Sequence, residues 1–145
     1  MTEKNEVKPE KEKMVLTTGK RRTAVARARV KAGLGQVMIN DVPIDLWQPE
    51  YARVKIREPL LLADELTQKV DIKVSARHGG VVSQADAIRQ AIAKGLVEFF
   101  KDEKLKKIYL DYDRSLLVYD PRRTEPHKPS RSRKGARRHK QWSKR

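Results

Sequence analysis

The sequence predicts an α+β fold, a single sheet with helices packed on it and a long extended basic C-terminal tail, and three observations predict it. Two segments, 23–32 and 70–77, alternate apolar and polar residues with period two, as half-buried strands do. Over 83–100 the apolar residues recur every three or four positions, the stripe of an amphipathic helix. Two thirds of the net charge of +15 falls in the last 25 residues, which contain almost nothing that can be buried. With 145 residues, 38% hydrophobic and 37% charged, the chain is long enough for one domain with appendages and too short for two cored ones.

Residues 1–13 carry four lysines and four glutamates and almost no apolar side chain, so a disordered leader is expected. The globular domain is expected over 14–120, which holds nearly all the aliphatic residues and a net charge of +5. In TAVARARVKA, residues 23–32, Ala24, Ala26, Ala28 and Val30 face one side, and Arg27, Arg29 and Lys31 the other. Gly33 and Gly35 then punctuate a turn, and QVMIN, with Val37 and Ile39, reads as the return strand of a hairpin that Asn40 and Asp41 end. Beyond Pro43 the pattern becomes helical. Pro49 and Pro59 suit the first turns of two short helices, around 51–57 and 60–66.

VDIKVSAR, residues 70–77, alternates again, with Val70, Ile72, Val74 and Ala76 inward. In the helix over 83–100, Ala85, Ile88, Ile92, Leu96 and Phe99 form the apolar stripe, while Asp86, Arg89, Lys94 and Lys101 take other faces. Ser83 with Asp86 three positions on makes a capping-box pattern, expected to fix the helix start. A second amphipathic helix over about 102–112 precedes SLLVYD and the tail, 121–145.

The chemistry narrows by exclusion. No cysteine is present, which removes disulfides, thiolate metal sites and cysteine nucleophiles and fits a cytoplasmic protein. The longest uncharged stretch, 32–40, is far short of the roughly 20 residues that span a bilayer, and the mixed-charge start has no apolar signal core, so neither membrane nor export is expected. TTGKRRT lacks the first glycine and the Ser/Thr of a P-loop, having Met14 and Arg21 there. GLGQVM lacks the third glycine of a dinucleotide fingerprint. The acidic pairs have no catalytic spacing, and His78, His127 and His139 have no metal-ligand spacing. The expectation is therefore no enzyme, no metal, no cofactor and no small-molecule substrate.

A pI near 10.2 points instead to a polyphosphate partner. The candidate RNA-binding residues of the domain are Lys20, Arg21, Arg22, Arg27, Arg29 and Lys31, with Gly79 and Gly80 before a helix start. In the tail they are Arg122, Arg123, Lys128, Arg131, Arg133, Lys134, Arg137, Arg138 and Lys140, and Trp142 is placed to stack on a base or pack on a neighbouring protein. Extended at about 3.3 Å per residue, such a tail reaches on the order of 80 Å.

Three segments in order resemble the universal small-subunit ribosomal protein family, number nine in bacterial naming and sixteen in eukaryotic. They are GKRRTAVARARVKAGLGQVMINDVPI at 19–44, GGVVSQADAIRQAIAKGL at 79–96, and DPRRTEPHK followed by the closing ARRHKQWSKR. The charged leader and YDRSLLVYDPRRTEP are closer to the archaeal branch. Two positions depart from the family pattern: His78 stands where a third glycine is common, and Asn40-Asp41 where Asn-Gly is. The resemblance implies a split β-α-β arrangement with a left-handed crossover. It also implies a cytoplasmic, ribosomal location in the small-subunit head, on the 3′ major domain of the rRNA beside neighbouring head proteins. The tail would then thread toward the decoding region, with Lys144 and Arg145 on the anticodon stem-loop of the peptidyl-site tRNA. Composition alone leaves an architectural nucleic-acid binder as an alternative, and the fold that the resemblance implies leaves a phosphotransferase using the glycine turn for ATP.

Overall fold

A computed structural model describes residues 13–123. Almost all of the expected leader, and the tail from 124 onward, lie outside the described residues. Five strands form one mixed sheet: β1 (Met14–Arg21), β2 (Ala24–Ala32), β3 (Val37–Ile39), β4 (Val42–Pro43) and β5 (Val70–Arg77), in the order β1-β2-β5-β3-β4. Three α-helices, α1 (Glu50–Ala63), α2 (Val81–Phe100) and α3 (Glu103–Tyr112), complete the domain. β3 and β5 are parallel neighbours, and α1 lies in the connection between them; the other pairings are antiparallel.

Alternation makes β2 and β5 the centre of the sheet. Ala24, Ala26, Ala28 and Val30 of β2 and Val70, Ile72, Val74 and Ala76 of β5 are buried, as expected from their period. The hairpin partner of β2 is not the expected one. β2 pairs over eight residues with β1 on one side and eight with β5 on the other, so both its edges are occupied and the three-residue β3 is left to pair with β5. The loop at 33–36 carries the chain across instead of back. The Asp71 carboxylate holds it by accepting the N–H groups of Leu34 at 2.9 Å and Gln36 at 3.1 Å. Asn40 and Asp41, both at positive φ (48° and 65°), make the tight turn from β3 to β4. The Asn40 amide extends the ladder by accepting from the Ala76 N–H and donating to its carbonyl.

The two short helices expected around Pro59 are one. α1 runs through the proline because the ring is fully buried with Ala52, Ile56 and Ala63, and the Pro59 carbonyl accepts from the Tyr109 hydroxyl at 2.7 Å. Tertiary packing thus overrides the helix-breaking preference. The expected capping box also fails. α2 begins at Val81 with Gly80 at its N-cap and no side-chain cap, and Asp86 is instead drawn away by Lys55 and Arg21. At α3 the cap is made by Asp102, which accepts from the Lys104 N–H at 2.8 Å.

Close approach of α2 to the sheet depends on small residues. A Cβ on Gly19 of β1 would collide with the Ala87 carbonyl oxygen, and one on Gly95 would lie 2.7 Å from a Val30 methyl. Thr17 joins this packing by donating its hydroxyl to the Ala91 carbonyl at 2.8 Å. Along the outer edge of β1, the Lys20 N–H donates to the Gln90 side-chain oxygen at 2.9 Å, and the Thr18 carbonyl accepts from the Lys94 ammonium at 3.5 Å. At the opposite edge β4 is two residues long and ends in Pro43.

Candidate nucleic-acid interface

Among the described residues, helices cover one face of the sheet only. On the other, Lys20 of β1, Arg27, Arg29 and Lys31 of β2, and Lys73, Ser75 and Arg77 of β5 are all exposed. Register brings them together: Arg27 faces Ser75, Arg29 faces Lys73, and Val25 sits between Lys20 and Arg77. Adjacent strands lie about 5 Å apart and same-face residues about 7 Å along a strand, so six cations make a dense array. Asp71 is the acidic residue of this face, and it is already engaged. The Gln36 N–H above all, with those of Leu34 and Gly35 and the nearby Lys31 charge, holds its carboxyl below the usual range against the opposing effect of burial. Lys31 lies 4.0 Å from that carboxylate, while Lys20, Arg27, Arg29, Lys73 and Arg77 form no ion pair among the described residues.

Lys20, Arg21 and Arg22, adjacent in sequence, point three ways. Lys20 lies on the open face. Arg21 turns to the helical side, where it is paired with Asp120 and lies 3.8 Å from Asp86. Arg22 is exposed in the β1–β2 turn at φ 53°. Arg122 folds back on Asp120, with Nη2 at 2.8 Å from the carboxylate. Arg123 lies over the Tyr119 ring and donates to the Tyr119 hydroxyl at 2.5 Å and the Arg22 carbonyl at 3.2 Å. The start of the tail is therefore stitched to the β1–β2 turn.

Gly79 and Gly80 join the same corner. Gly79 has φ 71°, and a Cβ there would lie 2.9 Å from that of Ala24, so the glycine loop packs on the first residue of β2. Beside Gly80 there is open space. His78 takes a positive φ of 63° without being glycine, and its carbonyl accepts from the Gln84 amide at 3.0 Å. Lys128, Arg131, Arg133, Lys134, Arg137, Arg138, Lys140, Trp142, Lys144 and Arg145 lie outside the described residues.

The helical pattern puts Arg89 off the apolar stripe and singles out neither Lys73 nor Arg77. Arg89 is only 9% exposed. It donates to Glu58, to Asp113 at 2.7 Å and to the Ser115 hydroxyl at 2.8 Å. Burial opposes its charge, but the two carboxylates outweigh burial and raise its pKa. Burial likewise pushes the Asp113 carboxyl up, and the Ser115 and Arg89 donors more than reverse it, leaving it below its ordinary value. Gln90, beside Arg89, donates to the Val118 carbonyl at 2.8 Å while accepting from Lys20. Together these side chains fix residues 113–120 against α2 and set where the tail departs. Arg89 adjoins the predicted stripe at Ile88 and Ile92, which is the available signal that it is covered.

Among the described residues no helix is long and apolar enough to cross a membrane. The ribosomal protein S9/S16 family matches residues 19–145. A Methanococcus maripaludis protein named small ribosomal subunit protein uS9 is 50% identical over 131 residues, covering 90% of this chain and 98% of its own. A protein of the same name from Desulfurococcus amylolyticus is 51% identical over 119 residues, 82% of this chain and 85% of its own. A family match over most of the chain, with relatives of about 50% identity that are covered almost end to end, means that the chain belongs to the ribosomal protein S9/S16 family.

Proposed function

We propose that this structural, non-enzymatic protein of the small ribosomal subunit grips rRNA of the subunit head with the open face of its sheet and with its tail, and that the tail's end supports peptidyl-site tRNA. One observation carries the reading: five cations without an ion-pair partner among the described residues share one helix-free face with a single, already engaged carboxylate. Such a face neutralises phosphates without reading sequence, and counterion release makes its affinity salt-dependent. The ion pairs of Arg21 and Arg122 with Asp120, with the Arg123 hydrogen bond to the Arg22 carbonyl, hold the start of the tail at the β1–β2 turn, the corner shared with the glycine loop. Arg21 serves there to hold the tail's start rather than to meet RNA. The tail continues the grip through its remaining cations, and Lys144 and Arg145 supply two charges for backbone phosphate of any tRNA.

The test is the salt dependence of rRNA binding. Replacing Arg27, Arg29 and Lys73 together by alanine lowers the slope of log affinity against log salt by roughly 0.7 to 0.9 for each phosphate that is no longer neutralised. An unchanged slope removes the sheet face from the interface. For the tail, subunits carrying a chain that ends at Ser143 are expected to assemble and to hold peptidyl-site tRNA more weakly. Unchanged tRNA affinity at low magnesium would remove that role.

A further inference from the structure

A second face of the domain has the opposite character. In a chain of net charge +15, residues 41–65 hold six acidic residues and three basic ones. The three cations are already used. Arg57 pairs with Asp45, Lys55 lies 2.7 Å from Asp86, and Arg53 donates to the Asp45 carbonyl and lies 3.8 Å from Glu50. Asp41, Asp64 and Glu65 are exposed and form no ion pair among the described residues. Among the described residues, the same segment carries four of the six most exposed large apolar side chains: Leu46 at 70%, Tyr51 at 60%, Val54 at 58% and Leu61 at 75%. Helical spacing places Val54 and Leu61 on the side of α1 away from its buried Ala52, Ile56, Pro59 and Ala63. The Arg53 hydrogen bond to the Asp45 carbonyl and the Arg57 ion pair with the Asp45 carboxylate bring the turn that holds Leu46 alongside this outward side.

We propose that the outward face of α1, with the turn at Ile44–Leu46, docks a basic, apolar-bearing segment of another protein of the small subunit. The inference rests on the ribosomal placement above and names the surface that meets a protein rather than RNA. Fixed carboxylates repel phosphate, so RNA is a poor occupant, whereas they attract and orient a cationic segment. Single exposed apolar side chains need no explanation, but several grouped on one face, an aromatic among them, mark a surface of association. Proteins that lodge in an RNA particle carry basic segments, as residues 121–145 of this chain do with eleven cations against one acid. A neighbour's segment of that composition matches both the charge and the apolar content of the face.

The experiment uses purified small subunits containing the full chain, joined by a zero-length carbodiimide reagent and digested with nuclease, alongside side-chain footprinting of the α1 face. Cross-links are expected from Glu50, Asp64 or Glu65 to lysines of one other subunit protein. Tyr51, Val54 and Leu61 are expected to be protected in subunits, before and after nuclease, relative to the free chain. Subunits carrying Val54→Ser with Leu61→Ser, which remove apolar contact without adding a carboxylate, keep the chain and its rRNA salt slope but show about tenfold lower cross-link yield. Four results overturn the proposal: labelling as strong in subunits as in the free chain, protection that disappears on nuclease treatment, cross-links only to this chain's own tail, or cross-links only between two copies. Subunits from which the chain is absent would overturn the ribosomal placement and this inference with it, an outcome distinct from a chain that is present with an uncovered face.

Discussion

On its helical side β2 presents Ala24, Ala26, Ala28 and Val30, all fully buried, and at the intervening positions Arg27, Arg29 and Lys31 stand exposed. The buried side is limited by volume, because α2 lies so close that Gly19 and Gly95 have no room for larger side chains. The open side is limited by nothing in the fold. One strand thus meets two limits at alternate residues, a volume limit on one side and only solvent on the other, and substitutions on the two sides should separate stability from the proposed binding.

The largest effect expected is from Gly19→Ala. Its Cβ meets main-chain atoms of α2 rather than a movable side chain, so a loss of about 3 kcal/mol or more is expected in urea or thermal melts. Gly95→Ala, pressing on a Val30 methyl, should cost less, about 1–2 kcal/mol. A Gly19→Ala chain that melts like the unsubstituted one would mean that α2 has slack the packing denies. Next comes Arg89→Met, which leaves Glu58 and Asp113 without their cation. Those side chains are 24% and 35% exposed, so water recovers part of the cost and about 2–3 kcal/mol is expected from chemical denaturation.

Acid should act on the carboxylates that hold the loop and the tail's start. Asp71 and Asp113 both sit below their ordinary 3.8 in the folded chain, so the unfolded chain binds more protons in that range. Their contribution is complete above about pH 4 and drains as pH falls through their folded values. Asp71→Asn should therefore flatten the acid limb of stability against pH; an unchanged limb would show that the loop at 33–36 holds without the charge. The smallest stability change belongs to the open face. Alanine at Arg27, Arg29 or Lys73 should leave the melt within about 0.5 kcal/mol, and a larger loss would show that the face does more than bind.

What the sequence discloses follows from how locally each feature is determined. β2, β5 and α2 show their period because one face of each is packed and the other is not. β1 is not legible as a strand because its pattern is inverted: Met14 and Leu16 are exposed while Thr17 and Gly19 are buried, a consequence of the close helix above it. The pairing of β3 cannot be seen from its own three residues, since competition for the edges of β2 decides it. Of the site, Arg27, Arg29 and Lys31 are legible from alternation, and Lys73 and Arg77 are equally legible in VDIKVSAR once its apolar set is turned inward. Arg21 and Arg89 are not, because their partners Asp120, Asp113 and Glu58 arrive from distant parts of the chain.

The side chains of Gln90 and Lys94 that reach the Lys20 N–H and the Thr18 carbonyl have a bearing on life before assembly. A chain made free of its particle carries its sheet into a crowded solution, where a bare strand edge recruits other strands. Here part of one edge is already satisfied by helix side chains, and the other stops after two residues at a proline that has no hydrogen to offer. The sheet is thereby guarded at both edges against growing sideways into its own copies, while its cationic face stays open to the partner proposed for it.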